Sequence, residues 1–319
     1  MFSRSSATDP GFRSARVKAL AKINLALKVL NKRPDGFHDL RTIFQTVSLS
    51  DAIDIGFQPG GPTAIEVESS IDIADNLVFR AAQAVMRLPG TGGGVRIHLQ
   101  KNVPMGSGLG GGSSDAAAVL LALPVLTGRR IGLETLLCLG ADLGSDVPFF
   151  LLGGAAVGLG RGTELYPLPE MPRANLVLVA PGIHVSTPEA YALLSRELTT
   201  DSVSHTINIF QSVVWTMADS RSFENDFEAV VFRRHPQLQL IKQKLLLAGA
   251  VCAMLSGSGS AVIGVFEDAE TARRVAESFD GYGFPARIVT RAHYRAMWWR
   301  QLAAHIDGKV WPPKSRYAE

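Results

Sequence analysis

From Val17 to Leu30 one row of residues is uniformly apolar: Val17, Ala19, Ala21, Ile23, Leu25, Leu27 and Val29. Lys18, Leu20, Lys22, Asn24, Ala26, Lys28 and Leu30 alternate with it. Period two over this length predicts a strand, with Lys22 and Asn24 together on its polar face. An Asp-Gly turn in RPDGFH (33–38) and a second strand-like run over 43–57 follow. Helical spacing predicts a helix over 75–88 with Asp75 as its N-cap, then a loop at 88–94, a strand over 95–99 and helices over 114–123 and 133–139. The stretch 144–165 reads as a turn, carrying Asp146, and two apolar strand-like segments. Pro167, Pro169 and Pro172 put a domain boundary near 165–175. Beyond it come helices near 188–197, 207–217, 235–248 and 268–279. Strands over 250–255 and 261–266 flank SGSGS (256–260), and a last strand lies near 286–290. Strands and helices mixed in this order predict an α+β architecture.

Composition narrows the class. In 319 residues, 46% are hydrophobic and 19% charged, the balance of a folded protein with length for two domains. A net charge of +3 is too small to argue for nucleic acid or a membrane surface, so neither is expected as a partner. The two cysteines, Cys138 and Cys252, sit in apolar surroundings without a CxxC or Cys/His cluster. They are expected to be buried thiols of a cytoplasmic protein, with no disulfide framework and no zinc site. The first 16 residues, rich in Ser and Arg but lacking an apolar core, are expected to form a disordered leader.

The chemistry concentrates in PMGSGLGGGSSDAAAVL (104–120). Its glycines stand directly between a strand and a helix, too tightly bracketed for a linker. GxGxxG matches formally, but six residues from Gln100 to Met105 separate it from the strand, and Glu134 falls in a helical pattern instead of ending a second strand. No Lys-Ser/Thr follows the last glycine, which excludes a Walker A loop. What remains is a phosphate cradle: glycine N–H groups that approach an anion unobstructed, hydroxyls from Ser113 and Ser114, and the positive end of the next helix.

These residues resemble the second motif of the GHMP kinase superfamily. Residues 21–51, 140–165, 225–238 and 254–266 are similar to its other motifs, in the family's order, so the likeness spans about Val17 to Thr290. GLGGGSSDAA (108–117) resembles the branch acting in the non-mevalonate isoprenoid pathway. The resemblance implies an N-terminal domain like the second domain of ribosomal protein S5 over 17–170, which binds ATP, and a ferredoxin-like C-terminal domain over 171–290. Residues 291–319 are an extension for which packing on the body is favoured. It implies ATP and Mg²⁺ as cofactors, with no metal ligand named beyond the hydroxyls of Ser113 or Ser114. The implied partner is a small-molecule substrate, a cytidine-diphosphate-linked methylerythritol phosphorylated on its 2-hydroxyl, bound by a monomer or homodimer. A mevalonate, phosphomevalonate or homoserine kinase, or a non-catalytic nucleotide-binding protein on the same fold, are the alternatives.

Carried over residue by residue, Asp146 becomes the general base and Lys22 the ammonium beside it and the reacting hydroxyl. Pro104, Met105, Gly106, Ser107, Gly108, Leu109, Gly110, Gly111, Gly112, Ser113, Ser114 and Asp115 form the nucleotide loop, and Asn76 lies near the adenine. Asn24, Phe37, His38, Thr187 and Tyr191 contact the cytidine substrate, with Ser256, Gly257, Ser258 and Gly259 closing the site. Phe37 stands where the family usually has tyrosine; it keeps a stacking face and lacks the hydroxyl.

Overall fold

The computed structural model describes residues 11–90, 92–195 and 224–318. Strands β1 (Arg13–Lys32) and β2 (His38–Pro59) form a long antiparallel ribbon around the Asp-Gly turn. The far side of β2 pairs with β4 (Gly93–Gln100) and, nearer its start, β5 (Ala155–Gly160). β3 (Ala64–Ser69) runs parallel to β4, and β6 (Glu164–Pro167) pairs with β5, completing six strands. Helices α1 (Leu77–Met86), α2 (Gly111–Thr127), α3 (Leu133–Leu143) and α4 (Val147–Leu152) share a core with this sheet, through Val17, Ile53, Ile55, Leu120 and Phe149 among others.

The second sheet has the order β10-β7-β9-β8, with β7 (Asn175–Val179), β8 (Cys252–Leu255), β9 (Val262–Phe266) and β10 (Gly283–Arg287). Around it pack α5 (Thr187–Ser195), α6 (Phe227–Arg234), α7 (Pro236–Leu247) and α8 (Ala269–Glu277), burying Val177, Leu238, Leu245 and Ala272. A third apolar cluster joins Ala21, Ile23 and Leu25 of β1 to Leu176, Leu178, Met254 and Ile263 of the second sheet. β1 therefore feeds all three clusters, through Ala19, Leu27 and Ile23 respectively.

This central position corrects one expectation. β1 has no solvated face in its middle: residues 19–29 are all buried, Lys22 and Asn24 included. Its free edge is closed as well. Lys22 N donates to the Leu109 carbonyl at 2.9 Å, Leu27 N donates to Glu224 O, and Asp226 N donates back to Leu27 O. Register shifts between Leu20 and Lys22 and between Asn24 and Ala26 bracket the two polar residues. Such bulges re-aim side chains out of the simple alternation.

Other elements differ in extent or kind. β1 begins at Arg13, so residues 13–16 belong to the strand and not to a leader. Asn76 and not Asp75 caps α1: its Oδ1 accepts from Val78 N at 3.0 Å. α2 starts at Gly111, three residues earlier than expected, and continues through Pro124 to Thr127. The segment after Asp146 is a helix with Pro148 in its first turn, where a missing N–H costs nothing, and not a strand. β3 and α6 were not foreseen, and the last strand lies at 283–287. The helix expected over 207–217 lies outside the described residues. Cys138 is exposed and Cys252 partly buried, because α3 turns Leu136 and Gly140 inward instead of Cys138.

The basic tail packs. Helix α9 (Arg291–Gln301) buries Tyr294 and Trp298 in the first core. The Trp311 indole N–H donates to Leu151 O at 3.0 Å, and Ser315 Oγ donates to Val125 O at 2.7 Å. Among the described residues no helix is long and apolar enough to cross a membrane.

Candidate active site

A cavity of about 1040 Å³ gathers residues from β1, the 104–113 loop, the start of α4, α5 and the 256–260 turn. The glycine loop forms one wall. Gly110 is the N-cap of α2 with a left-handed φ of 72°; a Cβ there would fall 2.8 Å from the Phe150 ring and 3.0 Å from Lys22 Cγ. The loop is therefore pressed against the strand that carries the lysine. It is also tied to the second sheet, since Ala261 N donates to Ser107 O at 2.9 Å. No side chain caps α2, which leaves its first N–H groups facing the cavity beside Ser113.

Lys22 Nζ lies 3.2 Å from Asp146 Oδ2 and donates to Asn24 Oδ1 at 2.9 Å. Asn24 Nδ2 donates to Thr42 Oγ1 at 2.6 Å, and Thr42 Oγ1 donates to Ala26 O at 2.8 Å. This chain fixes the orientation of the amide and, through it, of the ammonium. Asp146 occupies the N-cap position of α4 yet its side chain makes no capping bond, which leaves its carboxylate turned to the cavity.

An aromatic wall stands at the same cavity. His38 stacks on Tyr191, with ring centroids 4.8 Å apart at 17°, and Tyr191 meets Phe227 edge-on. Burial and the charge of Lys32 hold the His38 imidazole below its usual pKa. Burial and the Asp146 carboxylate push the Tyr191 phenol up. Phe37 is about half exposed, and the Arg161 guanidinium lies over its ring at 3.6 Å. Thr187 Oγ1 and Ser258 Oγ share a hydrogen bond of 2.8 Å at the rim.

Most of the expected residues converge on the cavity: Lys22, Asn24, Phe37, His38, Asn76, the loop from Pro104 to Ser113, Asp115, Asp146, Thr187, Tyr191, Gly257 and Ser258. Three do not line it. Ser114 is buried and donates to the Leu20 carbonyl at 2.7 Å, tying α2 to β1 instead of facing an anion. Ser256 is fully buried behind Asn24, whose N–H it accepts at 3.4 Å. Gly259 lies behind Gly257 in the same turn, its N–H donating to Ser256 O.

The sequence reading missed a buried ion cluster under the loop. Lys101 pairs with Asp115 at 2.7 Å and with Asp51, whose other oxygen accepts from Val103 N at 2.8 Å. Burial pushes the Asp115 carboxyl up to about 7, against the pull of Lys101. Burial opposes the charge of Lys101, but its two carboxylates outweigh this and raise it. Nothing in the spacing 51, 101 and 115 announces such a cluster. Thr42 and Arg161 also went unnoticed; GRG at 160–162 was the one available signal for the latter.

Comparison with known proteins fits this geometry. The family model for the GHMP kinases N terminal domain matches residues 76–154, and that for the GHMP kinases C terminal matches 216–283. A 4-diphosphocytidyl-2-C-methyl-D-erythritol kinase of Solibacter usitatus is 54% identical over 310 residues, covering 96% of this chain and 98% of the relative. The chain belongs to this kinase family. A kinase of the same name from Geobacter metallireducens is 41% identical and covers 83% of this chain and 94% of its own. Among solved structures, a 4-(cytidine 5'-diphospho)-2C-methyl-D-erythritol kinase superposes with a TM-score of 0.73 at 35% identity, covering 86% of this chain and 98% of its own. A homoserine kinase from Cytophaga hutchinsonii shares the fold at a TM-score of 0.67 and 20% identity, over 87% of this chain and 95% of its own. As a member of the family, the chain is an ATP-dependent small-molecule kinase of the GHMP fold.

Proposed function

We propose that the chain transfers the γ-phosphoryl group of ATP to the 2-hydroxyl of 4-diphosphocytidyl-2-C-methyl-D-erythritol. One observation carries this reading. The Lys22–Asp146 pair, at 3.2 Å, opens into the same cavity as a glycine loop and the group Phe37, His38 and Tyr191. The first feature suits a phosphoryl acceptor, the second a nucleotide phosphate, and the third a pyrimidine.

Asp146 accepts the proton of the attacking hydroxyl, its carboxylate free of any capping duty. An ammonium has three protons. In Lys22 one goes to Asn24 and one faces Asp146, so the third is left for the oxygen on which charge develops. The N–H groups of the loop and of the first turn of α2 cradle the triphosphate. Asn76, whose Oδ1 is spent on capping α1, offers its amide N–H groups to the adenine. The pyrimidine lies against the aromatic wall, and the turn at Gly257 and Ser258 bounds it. All of these groups come from one chain, so a monomer suffices, and the cytoplasm is the proposed setting.

The donors on hand suit Mg²⁺ delivered with the nucleotide. Among the described residues no group of three or more His, Cys, Asp or Glu could hold a metal by itself. Mg²⁺ in kinase sites needs only one or two carboxylates beside phosphate oxygens. Asp115 Oδ1 is buried without a hydrogen-bond partner, and Ser113 and Asp146 face the cavity. These would hold the ion, which supplies neutralisation of phosphate charge.

The test is ATP consumption by the purified protein with Mg²⁺ and each of three acceptors: the cytidine substrate, mevalonate and homoserine. Turnover with the first alone is expected. Turnover only with mevalonate or homoserine would discard the cytidine pocket.

A further inference from the structure

Four basic side chains line the cavity: Lys22, Lys32, Lys101 and Arg161. Two are committed. Lys22 pairs with Asp146, and Lys101 with Asp51 and Asp115. Among the described residues Lys32 and Arg161 pair with no carboxylate. Asp35, on which the Arg161 charge also acts, is engaged by Arg33 at 3.1 Å. Both uncommitted cations stand beside the aromatic residues. Lys32 is the β1 partner of His38, and Arg161 covers Phe37.

The way Arg161 is held bears on what it can bind. Its guanidinium carbon sits 3.6 Å above the Phe37 centroid, and its backbone lies between two left-handed glycines, Gly160 (φ 63°) and Gly162 (φ 87°). Stacking uses the face of the guanidinium and leaves its five N–H donors radiating in the plane. Among the described residues none of these donors has an acceptor. A planar fork, presented edge-on and already ordered by an aromatic ring, matches the bidentate geometry of phosphate oxygens. A diphosphate diester carries about two negative charges at neutral pH, since each phosphate keeps one strongly acidic oxygen. Two unpaired cations beside the aromatic residues complement that charge.

We propose that Arg161, assisted by Lys32, binds the diphosphate of the nucleoside-diphosphate substrate while stacked on Phe37. This deepens the cytidine-diphosphate reading and rests on it. Specificity then has two separable parts: an aromatic wall that takes the base, and a cationic pair that counts phosphates. A charged, bidentate contact of this kind changes affinity by about 10- to 100-fold.

The experiment is a binding series by calorimetry, with a non-hydrolysable ATP analogue saturating the nucleotide loop so that cytidine compounds report on the other pocket. Wild type, Arg161→Gln, Arg161→Lys and Lys32→Gln are titrated with CDP, CMP and cytidine. Wild type is expected to prefer CDP over cytidine, and Arg161→Gln to weaken CDP by about 10- to 100-fold while leaving cytidine unchanged. Arg161→Lys, which keeps charge and loses the fork, should fall between. In turnover, the loss appears in KM for the cytidine substrate and not in KM for ATP. Equal loss of CDP and cytidine in Arg161→Gln would mean that the guanidinium merely props Phe37, overturning the proposal. So would wild-type binding that ignores phosphate number while the cytidine substrate still turns over. Failure of wild type to bind any of the three, with no turnover of the cytidine substrate, would overturn the substrate reading itself.

Discussion

A Cβ placed on Gly108 would fall 2.4 Å from the carbonyl oxygen of Ser256. The glycine loop and the turn of the second sheet thus touch backbone to backbone, across nearly half the chain. Gly108 also has a φ of 80°, which penalises any L side chain. Gly108→Ala is expected to push the two loops apart. The left-handed strain alone costs about 1–2 kcal/mol. KM for ATP should rise and Tm should fall. An unchanged Tm and KM would mean that the contact is slack.

Asp146→Asn keeps the shape of the side chain and removes the carboxylate proposed as the base. Loss of a general base costs on the order of 10²–10⁴ in rate, and kcat should fall by that much with nucleotide binding retained. Lys22→Met should cost a similar factor. The double variant should be little worse than either single one, because groups acting as a unit are not additive. Additive losses would separate the pair functionally despite the 3.2 Å between them.

The Lys101 cluster predicts a pH dependence of stability. Burial holds the Asp115 carboxyl up at about 7, well above an unfolded value of about 3.9. Between those limits the folded chain keeps a proton that the unfolded chain has lost. Stability should therefore fall as pH rises from about 4 to 7, by at most about 1.4 kcal/mol per unit from this group. Asp115→Asn should flatten that slope in urea unfolding measured across the range. An identical slope in wild type and variant would assign it to other groups.

The tail is expected to be structural. Trp298 is fully buried in the core of the first sheet. Trp298→Ala should destabilise the fold by about 3–5 kcal/mol, read as a fall in the denaturation midpoint. A change below about 1 kcal/mol would mean that α9 is dispensable for the fold.

The glycine loop was legible because its chemistry is local: a strand, a run of glycines and a helix dictate one another within twenty residues. That Asp146 and Lys22 would meet at the cavity was expected only through resemblance, since a turn aspartate and a strand lysine are ordinary in isolation. Alternation in β1 predicted one solvated face, and it failed at Lys22 and Asn24. Burial on both sides comes from the second sheet and from the loop at Leu109, neither of which is written into the strand. Ser114 misled for the opposite reason. Its hydroxyl suits an anion, but helical phase turns it toward Leu20. The Lys101–Asp51–Asp115 cluster and the Arg161–Phe37 stack join residues from distant turns, and no local periodicity encodes such meetings.

The apolar cluster that Ala21, Ile23 and Leu25 share with Leu176, Leu178 and Ile263 makes the two sheets a welded frame instead of jaws. Swinging them apart would expose that shared core to water. Ligands must then come and go through the mouth of the cleft, past side chains that can rotate without disturbing the frame. Phe37, Met105 and Arg161 are exposed at that boundary.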